Sequence, residues 1–181
     1  MAKVGIYGGS FNPVHFGHVG LAKWVMEHTD LDELWLLVSP LNPLKAKSQE
    51  LTANSEEDRL AAVREAVKDI PHVKASDFEF GLPRPSYTAN TLRELQKAYP
   101  EDEFTLVIGE DNLAIFDQWK EYEFIASNFR IFVYPRNLNN PNNPNNPSIP
   151  SILNNPNIIY LSEAPTFDIS STAIRRSQGR P

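Results

Sequence analysis

The run 34–38, Leu-Trp-Leu-Leu-Val, restricts the fold more than any other part of the sequence. A strand with one solvent-facing side alternates apolar and polar residues, so this unbroken run indicates a strand covered on both faces, as in a parallel sheet. Other short apolar runs, at 3–7 and 104–108, are separated by stretches with helical spacing, such as 16–27 and 88–99. The alternation predicts an α/β domain in which a parallel sheet carries helices on both faces.

Length and composition favour one domain, and we expect residues 1–181 to form it. No apolar run reaches the length of a membrane helix, the N-terminus lacks a signal-peptide pattern, and there is no cysteine for disulfides. These features predict a cytoplasmic protein without a membrane partner. The net charge of −6 argues against a nucleic acid polymer as partner, although a few local cations suffice for one nucleotide. The sequence leaves the oligomeric state open, a homo-oligomer included.

Residues 137–157 differ from the rest of the chain because they repeat Asn-Asn-Pro and contain few apolar residues. Proline removes backbone donors and asparagine favours turns, so neither a helix nor a strand is expected there. We predict a surface loop within the domain that has no direct role in chemistry.

The segment 8–18, Gly-Gly-Ser-Phe-Asn-Pro-Val-His-Phe-Gly-His, lies between a predicted strand and a predicted helix. Glycines let the backbone approach a ligand closely, and the start of a helix offers free N–H groups and a positive dipole end to a phosphate. The two histidines are three residues apart, so both can face that end and donate imidazole N–H groups. A tight turn with two incidental histidines is the alternative. The segment predicts a nucleotide-phosphate site formed by Gly8, Gly9, Ser10, Phe11, His15 and His18.

A second candidate phosphate site is the segment 169–175, Ile-Ser-Ser-Thr-Ala-Ile-Arg. Hydroxyls and free amides at a helix start can hold phosphate oxygens, and Arg175 adds a fork of donors. Taken alone, the segment is better explained as an ordinary helix cap before a solvent-facing arginine. Together with the segment 8–18 it indicates phosphate binding.

The two segments resemble signatures of the nucleotidyltransferase superfamily that includes the class I aminoacyl-tRNA synthetases. The resemblance implies a Rossmann-like nucleotidyltransferase fold, ATP as a substrate, and Mg²⁺ that enters with ATP and needs no dedicated site on the protein. It implies a catalytic group that consists of His15, His18, Lys45 and Arg175. The further ATP-binding residues that it implies are Gly8, Gly9, Ser10, Phe11, Gly109, Asp111, Ser170, Ser171, Thr172 and Ile174. A solvated lysine and a surface helix cap are the alternatives for Lys45 and Asp111.

Three middle motifs resemble those of the bacterial nicotinate mononucleotide adenylyltransferases: Arg-Pro-Ser-Tyr-Thr-Ala-Asn-Thr-Leu at 84–92, Gly-Glu-Asp-Asn-Leu at 109–113 and Phe-Asp-Gln-Trp at 116–119. The resemblance implies that AMP passes from ATP to nicotinate mononucleotide in NAD biosynthesis, with release of pyrophosphate. The acceptor site that it implies consists of Ser86, Tyr87, Thr88, Trp119 and Arg136. A flat pyridine ring suits an aromatic stacking partner, and its carboxylate suits backbone N–H groups. A plain core position is the alternative for Trp119, and Asn12 departs from the family because many members carry aspartate there.

Two other functions stay open. One is a different adenylyltransferase, such as the phosphopantetheine enzyme, against which the Ser-Tyr-Thr and Phe-Asp-Gln-Trp motifs argue. The other is a non-catalytic nucleotide-binding module, because one fold hosts many functions. The histidines, Lys45 and Arg175 argue against such a module, since a pure sensor has no need of contacts to a leaving group.

Overall fold

The computed structural model describes residues 1–40, 55–136 and 155–166, and within them the strands form one parallel sheet in the order β3-β2-β1-β4-β5-β6. The strands are β1 (Lys3–Gly9), β2 (Glu33–Val38), β3 (Val73–Ser76), β4 (Glu103–Gly109), β5 (Arg130–Tyr134) and β6 (Ile158–Tyr160). The parallel sheet that the apolar runs predict is therefore confirmed.

Helices cover both faces of the sheet, as predicted. They are α1 (Phe16–His28), α2 (Glu56–Val67), α3 (Thr88–Ala98), α4 (Glu110–Ala114) and α5 (Tyr122–Asn128). Trp35 and Leu37 of β2 pack in the core beneath α3 and α5, whereas Leu34 and Leu36 pack in the core beneath α1 and α2. The run 34–38 is thus apolar because both of its faces are buried. In the described ranges, no helix combines the length and the apolar character that crossing a membrane requires.

The strand order reverses direction at the centre of the sheet. From β1 the chain moves outward through β2 to β3, then returns to β4 on the other side of β1 and continues to β5 and β6. The connections that follow β1 and β4 therefore diverge, and in such sheets ligands bind in the crevice at the carboxyl ends of the strands.

One predicted helix is wrong in its extent. The sequence predicts that the segment 109–112 punctuates the chain before a helical stretch through Trp119. Instead α4 begins at Glu110 and ends at Ala114, and a 3₁₀ turn (Phe116–Gln118) follows. The N–H groups of Gln118 and Trp119 donate to carbonyls three residues earlier, which tightens the chain. The buried residues Leu113 and Phe116 are three positions apart, a spacing that a 3₁₀ turn satisfies as well as an α-helix does. As a result Trp119 has an extended backbone and does not continue a helix.

In the sequence, Ser55 and Asp58 resemble the signal for a helix N-terminal capping box, although Glu or Gln is preferred at the second position. The structure has a capping box at the start of α2. The Ser55 hydroxyl accepts from the Asp58 N–H at 3.1 Å, and the Asp58 carboxylate accepts from the Ser55 N–H at 3.4 Å. Each bond satisfies a backbone donor that the helix itself leaves without a partner.

We predict that Ser55→Ala lowers the free energy of unfolding by about 1 kcal/mol, because the cap is lost while no buried side chain changes. Arg64→Ala is the control, since Arg64 is exposed on the same helix and its loss should stay within about 0.5 kcal/mol. Urea unfolding of the two variants measures both values. Equal losses in the two variants would contradict a role for the cap.

Candidate active site

A cavity of about 270 Å³ opens at the carboxyl ends of β1 and β4, where the strand order reverses. Three of the residues predicted to bind the acceptor, Ser86, Thr88 and Trp119, line this acceptor cavity together. Gly8 and Gly9, predicted for phosphate binding, form part of its wall. Asn112 of the motif 109–113 lines it as well, so the structure brings the first motif and all three middle motifs to one place.

Tyr87 is not among the residues that line the acceptor cavity, although it belongs to the same motif. Its side chain is 44% exposed, and the ammonium group of Lys120 lies 4.5 Å from the centre of its ring. Tyr87 occupies the N-cap position of α3 with an extended backbone. Its backbone can therefore shape the start of α3, whereas its ring is not part of the cavity lining.

Trp119 reaches the cavity because the 3₁₀ turn is anchored in the core. Phe116 is 1% exposed, and the centre of its ring lies 5.2 Å from that of Trp119. The tryptophan is packed against the core on one side and lines the acceptor cavity on the other. Such a ring is held in place for stacking.

A second, smaller cavity adjoins the first and contains the two histidines. His15, His18 and Arg136 line it, and Tyr7 and Tyr134 line both cavities. The rings of Tyr7 and Tyr134 meet edge to face with their centres 5.9 Å apart. Two aromatic residues therefore form a wall that the histidine cavity and the acceptor cavity share.

The histidines are oriented by the backbone at the start of α1. His15 is the N-cap residue, and its Nδ1 accepts from the Gly17 N–H at 3.1 Å. The His18 Nδ1 accepts from the His15 N–H, also at 3.1 Å, and the two rings stack with centres 3.7 Å apart. A ring nitrogen that accepts carries no proton, so each neutral imidazole holds its proton on Nε2.

This arrangement changes one expectation about the helix start. The sequence predicts free N–H groups there for a phosphate, but the N–H groups of Gly17 and His18 bond to the side chain and the carbonyl of His15. The donors that remain for an anion are the Nε2–H groups of His15 and His18. The two imidazoles, instead of the backbone at the helix start, thus present N–H donors to the cavity.

Both imidazoles are held neutral. Burial lowers the pKa of His18 to about 3, and the electrostatic influence of the neighbouring His15 and of the Arg136 guanidinium acts in the same direction. Burial and Arg136 also lower the pKa of His15. The pair therefore acts as neutral hydrogen-bond donors at pH 7 in the unliganded protein.

The turn after β1 is held in place by the buried side chains of Phe11 and Arg59. Phe11 is buried in a left-handed conformation (φ 48°), and its ring lies edge-on to His18 with centres 4.9 Å apart. The fully buried Arg59 of α2 donates through Nη1 to the Ser10 carbonyl at 2.6 Å and to the Ser39 carbonyl at 2.7 Å. Arg59 therefore ties the loop after β1 to the loop after β2.

At the end of β4, the absence of a side chain at Gly109 lets the Asp111 carboxylate and the Tyr134 ring approach the backbone closely. A Cβ at this position would lie 2.5 Å from the Asp111 carboxylate and 3.1 Å from the Tyr134 ring. Asp111 in turn lies 3.7 Å from the Arg136 guanidinium. The structure thus brings Asp111 and Arg136, two predicted site residues, side by side.

Six predicted site residues lie outside the described residues. They are Lys45, Ser170, Ser171, Thr172, Ile174 and Arg175. Most of the Asn-Pro segment, residues 137–154, lies outside them as well. The roles of these residues stay predictions.

Sequence reasoning missed several residues of the site. The tyrosines Tyr7 and Tyr134 stand at the carboxyl ends of β1 and β5, where a parallel sheet places ligand contacts, and this position was a usable signal. Glu79 lines the acceptor cavity, and its one signal was an acid between two phenylalanines in a buried stretch. Arg59 had no local signal, because its partners are distant in the sequence.

The lowered pKa of His18 predicts how stability depends on pH. An unfolded histidine has a pKa near 6.5, so between about pH 6.5 and 3 the unfolded chain binds more protons at this residue than the folded chain does. Stability should therefore fall as the pH falls from 7.5 to 5. In His18→Asn, which keeps a polar acceptor for the His15 N–H, urea unfolding should show a weaker decrease. An unchanged decrease, or a proton on Nδ1 of His18 by ¹⁵N NMR, would contradict the assignment.

The chain is similar to known proteins over nearly its whole length. The model of the family described as cytidylyltransferase-like matches residues 6–177. A relative from Bacteroides thetaiotaomicron, named a probable nicotinate-nucleotide adenylyltransferase, is 46% identical over 97% of this chain and 81% of its own length. A relative of the same name from Flavobacterium psychrophilum is 44% identical over 97% of this chain and 86% of its own length.

A solved structure has the same fold. It is the nicotinic acid mononucleotide adenylyltransferase of Plasmodium falciparum complexed with NaAD, which matches with a TM-score of 0.74 over 97% of this chain and 83% of that protein. At 17% sequence identity this likeness concerns the fold alone. The family match and the bacterial relatives, which extend over nearly the whole chain, show that the protein belongs to the cytidylyltransferase-like family.

Proposed function

We propose that this enzyme transfers AMP from ATP to nicotinate mononucleotide, forming nicotinate adenine dinucleotide and pyrophosphate in NAD biosynthesis. The observation that carries the proposal is the pair of adjoining cavities: one is lined by the histidine pair and Arg136, the other by Trp119, Ser86 and Thr88. A polyanion suits the first cavity, and a flat ring with a carboxylate suits the second. The names of the bacterial relatives support the same reaction.

The acceptor cavity offers complementary groups to the nicotinate ring. Trp119 supplies an aromatic face, and the ring of the mononucleotide would stack on it. The helix α3 begins at Thr88, so its first N–H groups point toward the end that borders the cavity, where a carboxylate is stabilised. The buried Ser86 hydroxyl has no hydrogen-bond partner among the described residues and is available to the same carboxylate.

The histidine cavity offers donors to the phosphates of ATP. The Nε2–H groups of His15 and His18 and the guanidinium of Arg136 line it. We propose that Lys45 and Arg175 add charge to the leaving pyrophosphate, and that Asp111 accepts from a ribose hydroxyl.

Further contacts to ATP are proposed from backbone and hydroxyl groups. They come from Gly8, Gly9, Ser10, Phe11, Gly109, Ser170, Ser171, Thr172 and Ile174.

The reaction itself needs no protein nucleophile. A phosphate oxygen of the mononucleotide attacks the α-phosphorus of ATP, the bond to the bridging oxygen breaks, and pyrophosphate leaves. The protein positions the two phosphates in line and donates to the charge that develops on the leaving group. Because Tyr7 and Tyr134 line both cavities, substrates bound in the two cavities would lie next to each other.

A divalent cation accompanies ATP in this family, and we propose that it is Mg²⁺. In the described ranges no three His, Cys, Asp or Glu side chains lie together as a metal site. Mg²⁺ keeps several waters and binds phosphate oxygens, so the donor set that it needs would come largely from ATP. Its chemistry there would be to offset the charge of the phosphates.

Three expectations for the whole chain are part of the proposal. Residues 1–181 form a single nucleotidyltransferase domain, the segment 137–157 is a surface loop of that domain, and the enzyme acts in the cytoplasm.

We predict that nicotinate mononucleotide is a better acceptor than its amide by tenfold or more in kcat/KM. An amide would turn an NH₂ group toward donors that a carboxylate satisfies, and each unpaired buried polar group costs about 1–3 kcal/mol. Trp119→Ala should weaken both acceptors alike, because stacking does not distinguish them. Pyrophosphate release with each mononucleotide measures the ratio in parent and variant.

Equal efficiency for the two mononucleotides in the parent would refute the acceptor site. A preference that disappears in Trp119→Ala would assign the discrimination to the tryptophan instead of the turn 86–88. Turnover of phosphopantetheine in the same assay would favour the alternative enzyme.

We predict that His18→Asn lowers kcat by a factor on the order of 10²–10³, because it removes the Nε2–H donor to the leaving group. His18→Gln is the matched variant, since its amide reaches farther and can donate near the former Nε2 position, and it should lose less activity. His18→Ala should be as slow as His18→Asn while remaining folded. Near-normal kcat in His18→Asn, with folding verified by thermal unfolding, would contradict the role.

A further inference from the structure

Glu79 is a buried acid in the acceptor cavity for which the proposed reaction provides no role. It belongs to the 3₁₀ turn Phe78–Gly81 that follows β3, and it is 6% exposed. It lines the cavity together with Trp119, Ser86 and Thr88. Nicotinate carries a carboxylate, so a second carboxylate in its cavity needs an explanation.

The carboxyl group of Glu79 has two hydroxyl partners and, in the described part of the chain, no cationic side chain as an ion-pair partner. Ser39 donates its hydroxyl to Oε1 at 3.1 Å. The Thr91 hydroxyl donates to Oε2 at 2.8 Å, a shorter contact than the 3.2 Å to its other acceptor, the Tyr87 carbonyl. Within the described ranges no lysine, arginine or histidine forms an ion pair with Glu79. Burial raises the pKa of Glu79, and the two hydroxyl donors oppose that rise.

A buried charge is costly unless an opposite charge or sufficient hydrogen bonds compensate for it. A carboxylate has about four acceptor positions, and the two hydroxyls use two of them. Further compensation for the negative charge of Glu79 can come from a group bound in the acceptor cavity. A ligand with a positive charge would supply it.

The proposed acceptor has such a charge. The ring nitrogen of nicotinate mononucleotide is bonded to the ribose, so the ring is a pyridinium cation whatever the pH. Reduction to the dihydropyridine removes this charge while the ribose, the phosphate and the carboxylate stay the same. The two forms therefore differ chiefly in the charge of the ring, which is the property that a carboxylate at Glu79 would distinguish.

We propose that Glu79 is a specificity-determining residue that selects an acceptor with a positively charged pyridinium ring over its neutral dihydropyridine form. The start of α3 stabilises the ring's carboxylate, and Glu79, bonded to Thr91 one turn farther along α3, stabilises the ring cation. Trp119 adds the attraction of an aromatic face for a cation. The cavity thus recognises a zwitterionic ring, and this inference rests on the proposed function.

The test compares kcat/KM for nicotinate mononucleotide and its 1,4-dihydro form in the full-length protein with saturating ATP. The wild type should prefer the pyridinium form by about tenfold or more, which corresponds to about 1.4 kcal/mol. In Glu79→Gln, which keeps the size of the side chain, this ratio should fall at least threefold, through the KM of the pyridinium form. A ratio near one in the wild type, or an unchanged ratio in Glu79→Gln, would overturn the inference.

Glu110→Gln is the matched control. Glu110 is also a buried acid, 7% exposed, but its carboxylate accepts from the Tyr160 hydroxyl and it is not among the residues that line the acceptor cavity. The ratio of the two acceptors should stay at the wild-type value in this variant. A fall equal to that in Glu79→Gln would mean that loss of any buried carboxylate produces the effect, and would overturn the inference.

Ser39→Ala covers the case in which Glu79→Gln does not fold. It removes one of the two hydroxyl donors that oppose the raised pKa of Glu79, so a smaller fraction of Glu79 is ionised and the preference for the pyridinium form should fall below the wild-type value. A preference that stays at the wild-type value would contradict the inference. If the wild type forms no dinucleotide from either acceptor, the proposed function fails and the inference fails with it, whereas equal use of both forms overturns the inference alone.

Discussion

The parallel pairing of β1 with β4 is the constraint on which the site depends. Because the chain leaves these neighbouring strands in opposite directions, their carboxyl ends border a crevice instead of a continuous layer of loops. The turn after β1 carries the histidines to one side of this crevice. The turn after β4 leads through α4 to Trp119 on the other side. Two cavities with different chemistry therefore adjoin across a single pair of tyrosines.

The electrostatics of the site explain how a chain of net charge −6 can handle phosphates. Donors at the site are mostly neutral: burial lowers the pKa of both His15 and His18, and burial raises the pKa of Tyr7 and of Tyr134. Neutral donors cost less to bury than charged ones, and they bind an anion without requiring a counterion before it arrives. Positive charge is concentrated at a few positions, of which Arg136 faces the histidines.

Much of the fold could be predicted from local pattern. Apolar runs marked the strands because a parallel sheet buries both faces, and Ser55 marked the start of α2 because a capping box is a local device. The prediction of a helix after the segment 109–112 and through Trp119 was wrong in its extent, because apolar residues three apart fit two kinds of helix. Propensity and spacing do not distinguish them, whereas core packing around Phe116 does.

The site was predictable where a motif is continuous in sequence and not where contacts join distant segments. Residues 8–18 and 86–88 were found as motifs, and the structure places them at adjoining cavities. Arg59 contacts Ser10 and Ser39 across 49 and 20 positions, and such contacts leave no local pattern. That Tyr87 is not among the residues lining the acceptor cavity also depends on how α3 is docked, which the motif does not specify.

The central claim is that the two cavities hold ATP and nicotinate mononucleotide for direct transfer of the adenylyl group. The most direct measurement follows a label placed at the α-phosphate of ATP or at its γ-phosphate in a reaction with purified protein and nicotinate mononucleotide. The account predicts that the α-label enters nicotinate adenine dinucleotide while the γ-label is recovered in pyrophosphate. Labelled phosphate instead of pyrophosphate, or no labelled dinucleotide at saturating substrates, would contradict it.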